Sequence, residues 1–511
     1  MSFLKNKLFL FLTSCSLLVI PACTKKLNTN IDDPNGLSIN NLQGKDIFAQ
    51  ALLTSVTNKI GANISSFPGD NYDFAQEWMG YWSRNNGYSA SGLPQQIETF
   101  TVTFSSTDGN WASLYHNAYD YTFVMSHSSP NSILAGAAEV MRAMVFQDLT
   151  DQFGNIPFSQ ALEPLATITP TYDSASTIYK RLVEEVDSAI VLLQASQSTA
   201  DDASDIMFQG NKALWLGFAN KIKLRLLLRQ VPNVYAPTDP YITGELSNVA
   251  NQGGFLGAGQ DATINPGFQD ASQEQGPFWA VYGYVPGLNP AANEGGVYQN
   301  RVFFGANTII LDSLQAMSDP RIAYFFYPEG YPSSNGGFVG NPLGNASLSA
   351  SLFGPGVLNS PTAPALLFSA SQSLFMQAEA AQRGMMAGSP NALFKTAVEE
   401  SFRYLGYTDN GATADNFIAT STDPNVNFTI SAAPLQTILT QKWVAECGLD
   451  GLEAYSDYRR TGLPAIYQGT GITLPNRMLY PETEFTQNAA NVNAQNETTQ
   501  SAQSIPMFWG L

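Results

Sequence analysis

ALLFSASQSLFMQAEAAQRGMMAGSPNALFKTAVEESFRYLG, residues 365–406, holds two helical patterns folded about one turn. Apolar residues recur three and four places apart from Ala365 to Arg383 and again from Asn391 to Leu405, while Met385 to Pro390 supplies the break. Ser389-Pro390 marks the second start, because a serine oxygen can accept from the free amides of the first turn and proline suits the first helical position. Small side chains at Ala378, Ala380, Ala381 and Ala397 let the two backbones approach closely. The stretch therefore predicts an antiparallel helical pair of the tetratricopeptide kind, although no clean repeat of about 34 residues runs through the chain.

Working outward, the same spacing predicts helices over Leu134 to Phe153, Ala175 to Gln194, Asn211 to Arg229 and Leu435 to Cys447, and long alternating strand patterns are scarce. Pro170 to Ser174 marks the start of the second of these. The expected class is all-α, with helical pairs stacked into an α-α superhelical scaffold. Two regions interrupt the pattern. Pro232 to Asn300 and Tyr327 to Pro364 are rich in Gly, Pro, Asn and Ser with scattered aromatics, and irregular segments of that length in a folded body are usually functional or disordered. No linker divides the body, so residues 41–511 are expected to form a single domain.

The amino-terminal end reads as an export signal. Lys5 and Lys7 precede an apolar run, Leu8 to Ile20, too short to span a bilayer as a mature helix. Pro21-Ala22-Cys23 then completes a lipobox, which predicts removal of residues 1–22 and acylation of Cys23, the acyl chains each adding about 0.8 kcal/mol of membrane affinity per buried methylene. Thr24 to Asn40, with the turn signal Asp33-Pro34-Asn35-Gly36, reads as a tether over residues 23–40. Once Cys15 leaves and Cys23 is acylated, Cys447 stands alone and no intrachain disulfide can form; in its apolar stretch it reads as a small buried hydrophobe. The formal charge of −18 becomes −20 when two lysines depart with the signal, which contains no acid. That field disfavours nucleic acid and anionic headgroups, so membrane attachment must come through the acyl anchor.

Several motifs, in order, resemble the SusD/RagB family of outer-membrane nutrient-binding lipoproteins, specifically its SusD-like branch. They are Leu27 to Asn35, with its Asp-Pro-Asn; Phe146 to Ala161, with the corner Gly154-Asn155-Ile156-Pro157; Trp215 to Leu226; Ala378 to Gly384; and Gln441 to Ala445 together with Glu453 to Pro464. The resemblance spans most of the mature chain. It implies one right-handed stack of tetratricopeptide-like pairs carrying variable loops, docked on a SusC-like TonB-dependent β-barrel transporter. It also implies capture and handover of an oligosaccharide or peptide at the cell surface, without catalysis. Thr24-Lys25-Lys26 follows the acylated cysteine where surface-exported relatives often carry acids, which leaves a periplasm-facing orientation open.

Read for chemistry, these motifs point to scaffold. Gly154 can take a positive φ to end a helix, and Asp148 and Asp151 are placed to bond the free amides of that corner. Asp457 and Glu453 lie three and seven residues before Arg460, same-face helical spacings that favour ion pairs for Arg459 and Arg460 over ligand contact. Lys221, Lys223 and Arg225 alternate with apolar residues and read as a solvated or pairing face. Only His116 and His127 are present, no metal-ligand spacing, nucleophile elbow or P-loop occurs, and no metal or cofactor is expected. Among 42 acids some pair will always fall at glycosidase spacing, so a lipid-anchored helical glycoside hydrolase is the alternative reading. A binder of neutral sugars instead needs flat aromatic faces rimmed by amides and hydroxyls. Two clusters qualify: Trp78 and Trp82 with Tyr81, one helical turn apart and so equally suited to a core, and Phe278, Trp279, Tyr282 and Tyr284 in the first irregular region.

Overall fold

Ser132 opens the central helix of the protein: its hydroxyl accepts from Leu134 N at 3.1 Å, and Gly154, at φ +83°, closes it by donating to Thr150 O at 2.8 Å. A computed structural model describes residues 41–60, 73–85, 97–100, 108–163, 167–287, 302–329, 336–346, 349–468 and 470–511. The expected signal peptide, Cys23 and tether lie outside them. The chain divides into Met1–Gln43 and Gly44–Leu511, and every element named here belongs to the second unit.

Among the described residues nine helices carry the frame: α1 (Gly44–Ile60), α2 (Asp108–His127), α3 (Ile133–Phe153), α4 (Ala175–Ala195), α5 (Lys212–Arg229), α6 (Ala370–Gln382), α7 (Pro390–Leu405), α8 (Pro434–Ala445) and α9 (Gly451–Thr461). Each of α1 to α5 packs on the next, α6 packs on α7 and α8, and α8 packs on α9, so the all-α stack of tetratricopeptide-like pairs is what the chain forms. Helix α3 is buried nearly all round because it lies between α2 and α4. Gly136 permits the second contact, since a Cβ there would come within 2.8 Å of Leu193. By contrast, α4 buries one stripe, Ile178, Leu182, Val186 and Ile190, and turns Lys180, Arg181 and Glu184 outward.

Among the described residues three antiparallel ribbons join the helices: β1 (Trp82–Arg84) with β5 (Phe304–Ala306), β2 (Ile156–Pro157) with β3 (Tyr172–Asp173), and β4 (Ala262–Ile264) with β6 (Ala365–Phe368). The last corrects the expected helix from Ala365. Ser369 accepts from Gln372 N at 3.0 Å and starts α6 only at Ala370, which leaves the short apolar run before it to pair as a strand.

Behind these helices lies a buried ionic cluster. Arg229 meets Asp151 at 3.2 Å and Glu453 at 2.6 Å, Lys442 meets Glu453 at 2.9 Å and Asp457 at 2.5 Å, and Arg460 meets Glu379 at 2.7 Å and Asp457 at 2.8 Å. Here α3, α5, α6, α8 and α9 are fastened together. Lys223 and Arg225 pair with Asp187 and Asp148, whereas Lys221 donates to Gln372 Oε1 at 2.7 Å. Pairing is thus the role of this face, and solvation is not, for all three are buried. Two expectations need correction. Asp148 and Asp151 bind Arg225 and Arg229 in place of the corner's amides, because those cations reach them from α5. Among the described residues Arg459 makes no ion pair; it donates to Asp151 O and Asn476 O at 2.7 Å and lies 3.9 Å over the Tyr455 ring. Cys447 is buried, and burial pushes its thiol well above the ordinary range, as befits a packing residue.

Candidate functional site

Gly276-Pro277 begins a short helix, Pro277–Tyr282, inside the first irregular region, and Gly283 ends it by donating to Trp279 O at 2.7 Å. This helix places the expected aromatic cluster. Tyr282 points inward, its ring 5.6 Å from Trp82 and 5.4 Å from Phe353, while Phe278 stays half-buried above them, 4.9 Å from Tyr282. Trp279 donates from Nε1 to Tyr284 O at 3.0 Å, and both are largely covered. Of the four, Phe278 and Trp279 line a surface cleft; Tyr282 and Tyr284 support it from beneath.

The other expected cluster separates. Helix Asp73–Trp78 stops at Trp78, Gly80 takes φ +69°, and Trp82 begins β1, so the two tryptophans share no helical face. Trp78 is 0 % exposed, packed on Phe74 and Tyr455 and donating to Ile97 O at 2.9 Å. Trp82 is 2 % exposed and stands behind Gly448, where a Cβ would lie 3.8 Å from its Nε1. Neither presents a ring face to solvent, and Trp82 contributes as the floor under Phe278, centroids 6.3 Å apart.

The cleft, a narrow hollow of about 60 Å³ open to solvent, lies between Gly276–Trp279, the segment Val357–Leu366 of the second irregular region, Tyr404 of α7 and Gly448–Leu449. Its walls are held by backbone: Gly276 N donates to Pro361 O at 2.7 Å, so the two irregular regions are tied across its rim. A side chain at Gly276 would meet Ala363 O at 3.1 Å, which is why the rim needs glycine. Asn359 is exposed and Ser360 half-exposed beside it, its hydroxyl 3.0 Å from that of Thr362. Burial, reinforced by nearby Asp261, holds the Tyr404 phenol protonated well above its ordinary range, so it stays a neutral hydroxyl.

Among the described residues no Asp, Glu, His, Lys or Arg lines this cleft, which offers apolar faces, an amide and hydroxyls to a ligand. Tyr404, Asn359, Ser360 and the Gly448–Leu449 wall carried no signal in the sequence, because tertiary packing alone assembles them. His116 and His127 lie on α2, His127 stacked on Phe123 at 3.8 Å, and among the described residues no cluster suits a metal ion. Nor is any helix of the described residues long and apolar enough to cross a membrane.

The sequence model of one family, described as SusD-like and starch-binding, associating with the outer membrane, matches residues 40–481. No curated protein matches the sequence. Among solved structures, a chitin-binding protein of 20% identity superposes with a TM-score of 0.69, over 92% of this chain and 99% of its own. A chitin-binding SusD homologue from Flavobacterium johnsoniae, also 20% identical, gives 0.70 over 91% and 98%, and a SusD homologue from Bacteroides uniformis, 23% identical, gives 0.66 over the same shares. At these identities the likeness establishes a common fold.

Proposed function

The chain belongs to the SusD-like family, and from that premise we propose that it holds a neutral oligosaccharide in the cleft beside Pro277–Tyr282 and passes it to a SusC-like TonB-dependent β-barrel transporter at the outer membrane. The observation that carries this reading is the lining itself. Phe278 and Tyr404, both half-buried, offer ring surface to sugar C–H faces, Asn359 and Ser360 offer an amide and a hydroxyl, and among the described residues no charged side chain lines the cleft to favour an ionic ligand. Two of the similar structures are chitin-binding proteins, which supports a glycan over a peptide. The same lining supports binding without hydrolysis, since glycoside cleavage needs two carboxyl groups about 5 to 10 Å apart across the scissile bond.

Acylation at Cys23 would hold the protein at the membrane, surface-exposed, and closing a barrel mouth over bound ligand would raise its effective concentration at the entry to the channel. Replacing Cys23 by serine is expected to move the protein from the membrane fraction to the soluble one on cell lysis; unchanged membrane attachment would refute the anchor. For the ligand, affinity electrophoresis against chitin- and starch-derived glycans should show retardation without release of reducing ends. Phe278→Ala and Asn359→Ala should each weaken binding, the former by roughly tenfold on the scale of a lost aromatic contact of about 1.5 kcal/mol. Equal retardation of both variants and the parent, or cleavage of the glycan, would count against the assignment.

A further inference from the structure

We propose that a second cleft, on the other side of helix Pro277–Tyr282, is a distinct subsite for the same ligand, so that the protein grips an extended neutral oligosaccharide at two places along its length. The proposal rests on the reading of the first cleft and adds the ligand's length to it. This second hollow, of about 370 Å³, lies between Leu53 and Thr57 of α1, the segment Pro266–Gln275, and Pro277 and Ala280 of the helix. Pro277 lines both clefts. Their partition is thin: Gly276 lines the first, and a Cβ on it would lie 3.7 Å from the Phe268 ring that lines the second. A chain leaving one cleft over Pro277 enters the other, and the crossing spans about 10 Å, the diameter of one helix.

The lining repeats the chemistry of the first cleft. Phe268, half-buried, supplies an aromatic face; Gln269 and Gln273, both exposed, bring planar amides and Thr57 a hydroxyl; among the described lining residues Glu274 is the one that is charged, and it is an acid. Among the described residues neither cleft holds a cation to meet a uronate, sialate or sulfate, which favours an uncharged ligand across both. The second cleft is also built in advance. Gln269 N donates to Glu274 O at 2.9 Å, closing the turn that carries Gln273, and the Asp270 carboxylate accepts from Gln275 Nε2 and Gly287 N, each at 3.0 Å. At the tip Gln273 adopts φ +68°, a conformation costly for a residue with a side chain, while that side chain stays exposed over the cleft.

The test is calorimetric binding of linear N-acetylglucosamine and maltose-type oligosaccharides, disaccharide to hexasaccharide, to the purified protein. Affinity should rise with length. Phe268→Ala and Gln273→Gly should weaken the hexasaccharide by about three- to tenfold and leave the disaccharide unchanged, whereas Phe278→Ala weakens both. Because Gln273→Gly relieves its own backbone, it keeps the test decisive if Phe268→Ala folds poorly. Affinity that does not vary with length, or second-cleft variants that weaken short and long ligands alike, overturns the two-cleft proposal while the first cleft stands. Absence of binding by the parent protein across both series overturns the first-cleft reading and this one with it.

Discussion

Replacing Arg460 by methionine is expected to remove about 3–5 kcal/mol of folding stability, enough to consume a large part of the margin of an ordinary domain. The guanidinium is 1 % exposed in its side chain and makes a two-pronged contact with Glu379, 2.7 and 2.9 Å, while also donating to Asp457 and to Val231 O. Methionine fills much of the same volume, so the loss is electrostatic. Among the described residues Glu379 keeps Arg383, at 2.7 Å, as its one direct ion-pair partner and remains a buried carboxylate without its two-pronged contact. Desolvation is already paid in the folded state, and the pair's attraction was what offset it. Urea titration of parent and variant should show the midpoint fall at nearly constant slope. Adding Glu379→Gln to Arg460→Met should restore part of the loss, because an unpaired amide costs less to bury than an unpaired charge. A single variant as stable as the parent would show that the cluster does not fasten α6 to α9.

This cluster also marks where sequence reasoning stops. Local signals placed α3, α4, α5, α7 and α8 well and missed the start of α6: Ser174, Ser389 and Gly154 stand at helix ends, and the stripes of α4 and α7 follow helical spacing. Helix α2 has a weak apolar signal because its buried face is built from aromatics and small residues, Trp111, Tyr121 and Ala118 among them, diluted by Asn, Ser and Thr, whereas α1 buries an ordinary stripe, Phe48, Leu52 and Val56, that is legible at helical spacing. The Asp457–Arg460 pair was legible, being three residues apart. Its partners were not, since Glu379 lies 81 residues from Arg460, and Glu453 lies 224 from Arg229. For the same reason Lys221, Lys223 and Arg225 looked like a surface: no local pattern distinguishes a solvated cation from one met by a distant carboxylate. The candidate site divides likewise. Composition singled out Phe278 and Trp279 and the two irregular regions, but which rings turn outward depended on Trp82 and Phe353 filling the space below, and Tyr404 enters only because α7 ends beside that loop.

Stability should peak near pH 5 and fall steeply below it, by several kcal/mol between pH 4.5 and pH 2. Two opposed sets of carboxyl groups produce the peak. Burial alone would raise Glu379, but Arg460 and Arg383 overcome it and hold the group down to about 2; Arg229 and Lys442 likewise hold Glu453 well below its ordinary value against burial. A carboxyl depressed in the folded protein contributes stability that is complete above the unfolded value near 4.5 and is lost as pH falls toward the folded one. For Glu379 alone, moving from 4.5 to about 2 is worth roughly 3 kcal/mol. The other set works in the opposite sense. Burial pushes Asp148 up to about 6 against Arg225, and Glu139 up to about 7 against Ser188 and Arg142. In these the folded state takes up protons first as pH drops from 7.5 to 5, so stability rises by about 1 kcal/mol or more over that window before the acid limb begins. Urea midpoints at pH 7.5, 5 and 2.5 should therefore run intermediate, high and low. A steady increase from pH 5 to 7.5, or no loss by pH 2.5, would contradict the assignment. The Arg460→Met variant joins the two predictions: without its partner Glu379 should titrate closer to its ordinary range or above it, and the acid limb should become shallower than the parent's.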